Sequence, residues 1–436
     1  MKTNMQKYPN YKDSGAEWLG DLPIHWESIK MKHLFQDVSI KKKADAELLS
    51  VTQDQGVVPR TWVENRMVMP SGALESFKFI NKGDFAISLR SFEGGLEYCH
   101  HDGIISPAYT VLKAKRTFES QFYKYLFKSF SFISELQTSV VGIRQGKNIS
   151  FEELSYSYLP IPPLPEQTAI AAFLDRKTAL IDQAIGIKQK QIELLKERRQ
   201  ILIHNAVTRG LNPNVKMKDS GVEYLGDIPK EWNVVRFKYI IRTKARLGWK
   251  GLKASEYVDN SDYGFLATPN IKGENIDYSG AYFITKKRYE ESPEIMLKKD
   301  DILLVKDGST LGIINIVKSM PFNCTVNSSI AVLRILDDNL LNAEYLNYFL
   351  KSDYSQKIIE LKKDGMGVPH LFQSDINNFI ALIPTFKEQK EILIHIEKQI
   401  TKTSTAISLK EQEIEKLKEY KATLINSAVT GKIKVS

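Results

Sequence analysis

Cysteine is nearly absent from the 436 residues: Cys99 and Cys324 are the only two. So distant a pair gives neither a disulfide framework nor a metal-ligand spacing, as expected of a chain kept in a reducing cytoplasm. No run of about 18 apolar residues occurs, so no membrane-spanning helix is expected. The N-terminal MKTNMQKYPNYKDSG has no apolar core, so no secretory leader is expected.

Catalytic signatures are missing as well. No GxxxxGK[ST] loop is present; GIRQGKN at 142–148 has the wrong spacing and no hydroxyl after its lysine, and Gly365-Met366-Gly367 is too short for a nucleotide fingerprint. HExxH is absent. Ile161-Pro162-Pro163-Leu164 lacks the amide and the stacking ring that amino-methyl transfer would need, and Cys99-His100-His101 has no second ligand pair. These gaps argue against an enzyme.

What is present begins with charge. A net +9 and a pI near 9.1 hint at nucleic acid, because lysines and arginines that neutralise phosphates release counterions.

Repetition is the dominant feature. KDSGAEWLGDLPIHW at 12–26 and KDSGVEYLGDIPKEW at 218–232 share ten of fifteen positions without a gap. Asp13-Ser14-Gly15 and Gly20-Asp21 are turn chemistry, Pro23 blocks a helix, and Trp26 is an apolar anchor. The second copy repeats these as Asp219-Ser220-Gly221, Gly226-Asp227, Pro229 and Trp232. This address segment reads as an assembly joint that seats each globular domain against a helix end.

A second pair of segments, 165–208 and 387–430, also aligns without a gap and closes each half. Both follow a 3.5-residue apolar step, which predicts coiled-coil helices. The first seam is Leu174, Ile181, Ile185, Ile192, Leu195 and Leu202; the second is Ile396, Ile400, Ile407, Ile414, Leu417 and Leu424. Interruptions recur in the same slots, Lys188 with Lys410 and Arg199 with Lys421, as if to set register or meet a partner. Thr385 and Glu388 suggest a capping box, and Gly210 and Gly431 are placed to end the helices.

Only residues 209–218 join the first helix to the second globular region. A domain whose ends lie together would send the second helix back antiparallel to the first. The seam from 174 to 206 spans about 48 Å at roughly 1.5 Å per residue, more than one turn of duplex DNA at about 34–36 Å. The regions between address and helix read as α+β: DFAISLR (84–90), AYTVLKA (108–114), DILLVKD (301–307) and SIAVLRIL (329–336) are strand candidates, each region being followed by helical pieces.

Polar loops rich in Lys, Arg, Asn and Gln supply candidate DNA contacts, since these side chains pair with phosphates and with guanine or adenine edges. In the first region they are Lys41 and Lys42, Arg60, Arg90, and Arg144, Gln145, Lys147 and Asn148. In the second they are Arg246, Lys250 and Lys253, then Lys306, Ser309 and Thr310 of KDGSTLG, and His370 of GMGVPH.

The doubled KDSGxExLGxxPxxW segment, the IPPLPEQ helix start and the AVT helix end resemble the specificity (S) subunit of type I restriction-modification systems, over essentially the whole chain. RSFEGGLEYCHHDGIISPAY (90–109) and KDGSTLGIINIV with NSSIAVLRI are similar to stretches of that family's recognition domains. The resemblance implies an α+β fold with a pseudo-twofold internal repeat, in which two target recognition domains are separated by two long antiparallel helices forming a coiled-coil spacer. The divisions expected are 1–160, 161–210, 211–384 and 385–436. It also implies a non-catalytic subunit whose domains each read half of a bipartite double-stranded DNA site. Two methyltransferase (M) subunits carrying S-adenosylmethionine would dock on it, and restriction (R) subunits would supply ATP- and magnesium-dependent cleavage. No cofactor or metal is expected in this chain. TFKEQ for PLPEQ and GMGVPH for GIRQGK depart between the copies, which puts transfer of base contacts from one half to the other in doubt. The alternatives are a recognition subunit of a related methyltransferase or nuclease system, and a coiled-coil protein scaffold.

Overall fold

The computed structural model of the chain describes residues 6–63, 74–88, 91–141, 148–246, 252, 254–362 and 369–435. They form two compact units, Met1–Gln189 with Lys410–Ser436, and Lys190–Leu409. Each unit holds one globular domain with part of both long helices, so the second unit is one continuous stretch and the first is assembled from the two ends of the chain.

The helices run Leu164–Arg209 and Phe386–Val429. Prolines just before and inside the first turn set the first start, where a missing N–H costs nothing. Gly210 and Gly431 end them at φ 76° and 70°, left-handed values that favour glycine. Of the expected capping box, half forms: Glu388 N donates to Thr385 Oγ1 at 3.3 Å, while the Glu388 carboxylate turns elsewhere. Within the first unit the helix segments are antiparallel, because Asp182 meets Lys421 and Lys188 meets Glu413. In the second unit the end of the first helix, Ile203 to Val207, shares a core with Ile392, Leu393 and Ile396 from the start of the second.

Both globular domains centre on a four-stranded antiparallel sheet. In the first, the order is Phe35–Asp37, Thr110–Ala114, Phe85–Ile87, Glu97–Tyr98; in the second it is Ile241–Lys244, Ile330–Ile335, Ile302–Val305, Ile314–Ile316. The four strand candidates quoted above supply the two inner strands of each sheet, where both faces are covered and apolar runs are favoured. Registers match too: Val111–Ala86–Glu97 crosses the first sheet as Val332–Leu303–Asn315 crosses the second. Each helical piece is in fact two helices, broken before Ser129 and Ser352, whose hydroxyls cap the second of each pair.

The ends of each domain are tied by one strand pair. Glu27–Lys30 pairs with Tyr158–Ile161, and Asn233–Arg236 with Ile380–Ile383. Chain therefore enters and leaves each domain on one side. The second domain adds a three-stranded sheet, in which Tyr263–Leu266 runs parallel to Asn323–Val326, over its own apolar cluster.

Candidate nucleic-acid interface and its helical joints

The address segments fold alike. Tyr11–Asp13 pairs with Asp21–Pro23, and Met217–Asp219 with Asp227–Pro229. Asp13 and Asp219 each accept from the glycine two residues on, at 2.9 and 3.0 Å, the Asx turn that the sequence suggests. Trp26 and Trp232 are fully buried.

Each tryptophan sits where two helix ends meet. Trp232 shares a core with Val207 of the first helix and donates from Nε1 to Glu388 Oε2 at 3.0 Å. Trp26 packs with Leu424, Ala428 and Val429 of the second helix. At the start of the first helix Glu166, the counterpart of Glu388, takes Tyr8 and His25 instead. Burial and Glu166 push the Tyr8 phenol well up. Past Gly431 the chain clasps the first address: Lys432 Nζ donates to Leu19 O at 3.0 Å and Asp21 O at 2.7 Å, and Lys434 N to Gln6 O at 2.7 Å.

A pair of glutamines, which the sequence reading passed over, completes the joints. Gln167 accepts from Glu119 N at 2.9 Å and donates to Pro162 O at 2.8 Å. Gln389 accepts from Asn342 N at 2.8 Å and donates to Leu340 O at 2.9 Å and Pro384 O at 3.1 Å. Both are buried, and both bind the residue that caps a domain helix. The signal was available: Glu-Gln recurs at both helix starts when the residues before it do not.

Along the seam, Leu174, Ile181, Ile192, Ile396, Ile414 and Leu424 are buried. Ile185, Leu195, Leu202, Ile400, Ile407 and Leu417 are half-buried. The seam cations have acidic partners. Lys188 and Lys410 converge on Glu413 at 2.6 and 3.1 Å, Lys421 reaches Asp182 at 2.7 Å, and Arg199 reaches Glu274 of the second domain at 3.0 Å. Glu413, bonded to Lys188 and Lys410, is held below the usual carboxylate range.

Among the loop candidates, Arg90, Arg144, Gln145, Lys147, Lys250 and Lys253 lie outside the described residues. Asn148 opens a short strand paired with Val141. Lys41 and Lys42 are exposed, Lys42 at φ 61° with its N–H on Glu75 O. Arg60 Nη1 donates to Ser50 Oγ at 3.3 Å. Arg246 is half-buried, and burial together with Arg288 lowers its pKa. One set of candidates is drawn together: Lys306 Nζ is 2.8 Å from Asp307 Oδ2, His370 Nδ1 meets Asp307 Oδ1, and the backbone of Pro369 to Leu371 bonds that of Lys306 to Gly308. Exposed Ser309 and half-buried Thr310 continue the same loop.

No group of three or more His, Cys, Asp or Glu among the described residues is placed to hold a metal. Burial pushes the Cys99 thiol up to about 12, so it is no nucleophile at neutral pH. Among the described residues no helix is long and apolar enough to cross a membrane.

Comparison with known proteins agrees with this arrangement. The family model for the type I restriction modification DNA specificity domain matches twice, at residues 24–197 and 229–419. The MjaVIII specificity subunit of a type I restriction enzyme from Methanocaldococcus jannaschii is 24% identical over 441 residues, covering 98% of this chain and 97% of that protein. The EcoBI specificity subunit from Escherichia coli is 25% identical over 285 residues, covering 64% and 58%. Two solved structures share the fold at 15% identity. A chain from a study of complex assembly and conformational transition of the type I R-M system aligns with TM-score 0.68, and the HsdS subunit from Thermoanaerobacter tengcongensis with 0.53; each alignment covers 94% of this chain and 98% of the other. With both domains matched and both joints built alike, the chain belongs to the type I restriction-modification DNA specificity family, whose subunits recognise DNA and are not themselves catalysts.

Proposed function

We propose that the chain reads a bipartite double-stranded DNA sequence, one half-site per recognition domain, with the helix pair setting the gap between them. The observation that carries this reading is the duplicated joint. Gln167 and Gln389 make the same bonds to the capping residue of a domain helix, so each domain is held to its helices in the same way. Lys41, Lys42, Arg60, Arg246, Lys306, Ser309, Thr310 and His370 are the described candidates for contacts with the duplex. Asn148, Arg90, Arg144, Gln145, Lys147, Lys250 and Lys253 complete that set.

The helices also dock two methyltransferase subunits, and restriction subunits join the full assembly in the cytoplasm. Leu180, Ile187, Leu194 and Ile201 support docking: they recur every seventh residue on the first helix and are each about half exposed, an apolar row left uncovered by the described residues. The test is to map methylated adenines in a host genome with and without this gene. A bipartite motif that disappears on deletion is the expected result; an unchanged or single-part motif overturns the proposal.

A further inference from the structure

The two recognition domains repeat one lysine and differ in what faces it. Lys128 separates the helices Ser120–Leu126 and Phe130–Thr138, directly before the capping Ser129; Lys351 separates Ala343–Leu350 and Asp353–Leu361, directly before the capping Ser352. By sheet register, Glu97 of the first domain and Asn315 of the second occupy the same place. In the first domain the buried Glu97 carboxylate accepts from Lys128 Nζ at 2.7 Å. Gly94 O at 2.9 Å and Gln53 O at 3.0 Å complete the ammonium.

The second domain keeps the lysine and drops the carboxylate. Asn315 is neutral, and its Nδ2 donates to Gly273 O at 3.0 Å and Ile271 O at 3.3 Å. The carbonyl of Gly312, counterpart of Gly94, is taken by Gln356 Nε2 at 3.2 Å. Lys351 Nζ is left with no acceptor among the described residues. Burial, and next the charge of Lys318, push this ammonium down to about 8, with Glu274 opposing. It borders a cleft of about 810 Å³, one wall of which is Ile203, Ile314 and Ile316. Asn347, 4% exposed, also lines the cleft, and its side-chain oxygen meets no donor among the described residues. Of the other cations lining it, Arg199 and Lys318 are already held by Glu274 and Glu344, and Lys272 is exposed to solvent.

The geometry points to this cleft as a binding site for a carboxylate that the chain does not itself supply, seated on Lys351 as Glu97 is seated on Lys128. A hydroxyl or N–H beside that carboxylate satisfies the Asn347 oxygen, and the isoleucines receive a short apolar body. The group is carried either by a small hydroxy acid or by an acidic side chain of a partner subunit. A buried polar group left without a hydrogen-bond partner is costly, and filling the site removes that cost.

The experiment is an NMR pH titration of the full chain with ¹³C-methylated lysines, the Lys351 signal assigned by its loss in Lys351→Met. Malate is expected to raise the Lys351 midpoint by about one pH unit or more and to raise the melting temperature, whereas sodium chloride at matched ionic strength does neither. Asn315→Glu supplies the carboxylate internally, so its Lys351 titrates high from the start and ignores malate. If that variant does not fold, Lys351→Met serves instead: its melting temperature no longer responds to malate. If malate leaves the free chain unmoved, a raised Lys351 midpoint in the complex with methyltransferase subunits assigns the carboxylate to the partner. A Lys351 midpoint unmoved in both settings overturns the proposal. So does a malate response that survives in the variants or is matched by chloride.

Discussion

Trp232 donates its indole N–H to Glu388 at 3.0 Å, whereas the indole N–H of Trp26, the same residue of the first copy, is buried with no acceptor among the described residues. Replacing either ring with phenylalanine loses similar packing, but only Trp232→Phe also loses a hydrogen bond to a carboxylate. That variant should cost about 1–2 kcal/mol more than Trp26→Phe, measured by urea unfolding. Equal losses would show that the bond contributes nothing.

Glu97 gives a pH signature. Burial pushes its carboxyl up to about 7 against the pull of Lys128. A carboxyl raised on folding holds its proton more tightly in the native state, so stability is highest below the unfolded value near 4.5 and falls as pH climbs towards 7. Glu97→Gln does not titrate. The stability gap between wild type and variant should therefore change by up to roughly 3 kcal/mol over that window, in the direction that disfavours wild type at higher pH. A gap that is constant with pH refutes the assignment.

Ile414 and Ile187 test the two faces of the helix pair. Ile414 is buried in the seam and Ile187 is exposed. Ile414→Asp strands a carboxylate among apolar side chains and should destabilise by about 3 kcal/mol or more, with loss of methylation at the full bipartite site. Ile187→Asp should leave stability within about 0.5 kcal/mol while weakening association with methyltransferase subunits at least about tenfold, about 1.4 kcal/mol. Thermal melts and analytical ultracentrifugation separate the two outcomes. Normal assembly of Ile187→Asp would remove the exposed row from the docking surface.

DNA contacts separate by salt and by half-site. Lys41→Ala with Lys42→Ala should weaken binding to all sequences and lower the salt slope by roughly 0.9 per lost phosphate contact. His370→Ala should instead relax one half of the bipartite motif and leave the other intact, read by methylation mapping. An unchanged slope in the first case, or a uniform loss in the second, contradicts the assigned roles.

The helices, the address turns and the inner strands are legible in the sequence because each depends on local periodicity. Heptads, Asx turns and apolar runs are written within a few residues of where they act. The Glu97–Lys128 pair and its absence at Asn315–Lys351 are not legible in that way. Their partners lie 31 and 36 positions apart, and the equivalence of Glu97 with Asn315 appears only once strand register is known. The loop candidates fared differently again. Lys306 and His370 look unrelated in sequence, yet Asp307 joins them.

Gln167 and Gln389 hold the recognition domains through backbone N–H and carbonyl groups. Every residue has a carbonyl and all but proline an N–H, so such a fastening does not inspect the side chains it grips. A domain of quite different sequence can be set into the same mount, provided a helix cap arrives at the right point. The mount is the same in both halves while the domains it carries differ in sequence, so substitutions within a domain need not redesign the frame that carries it.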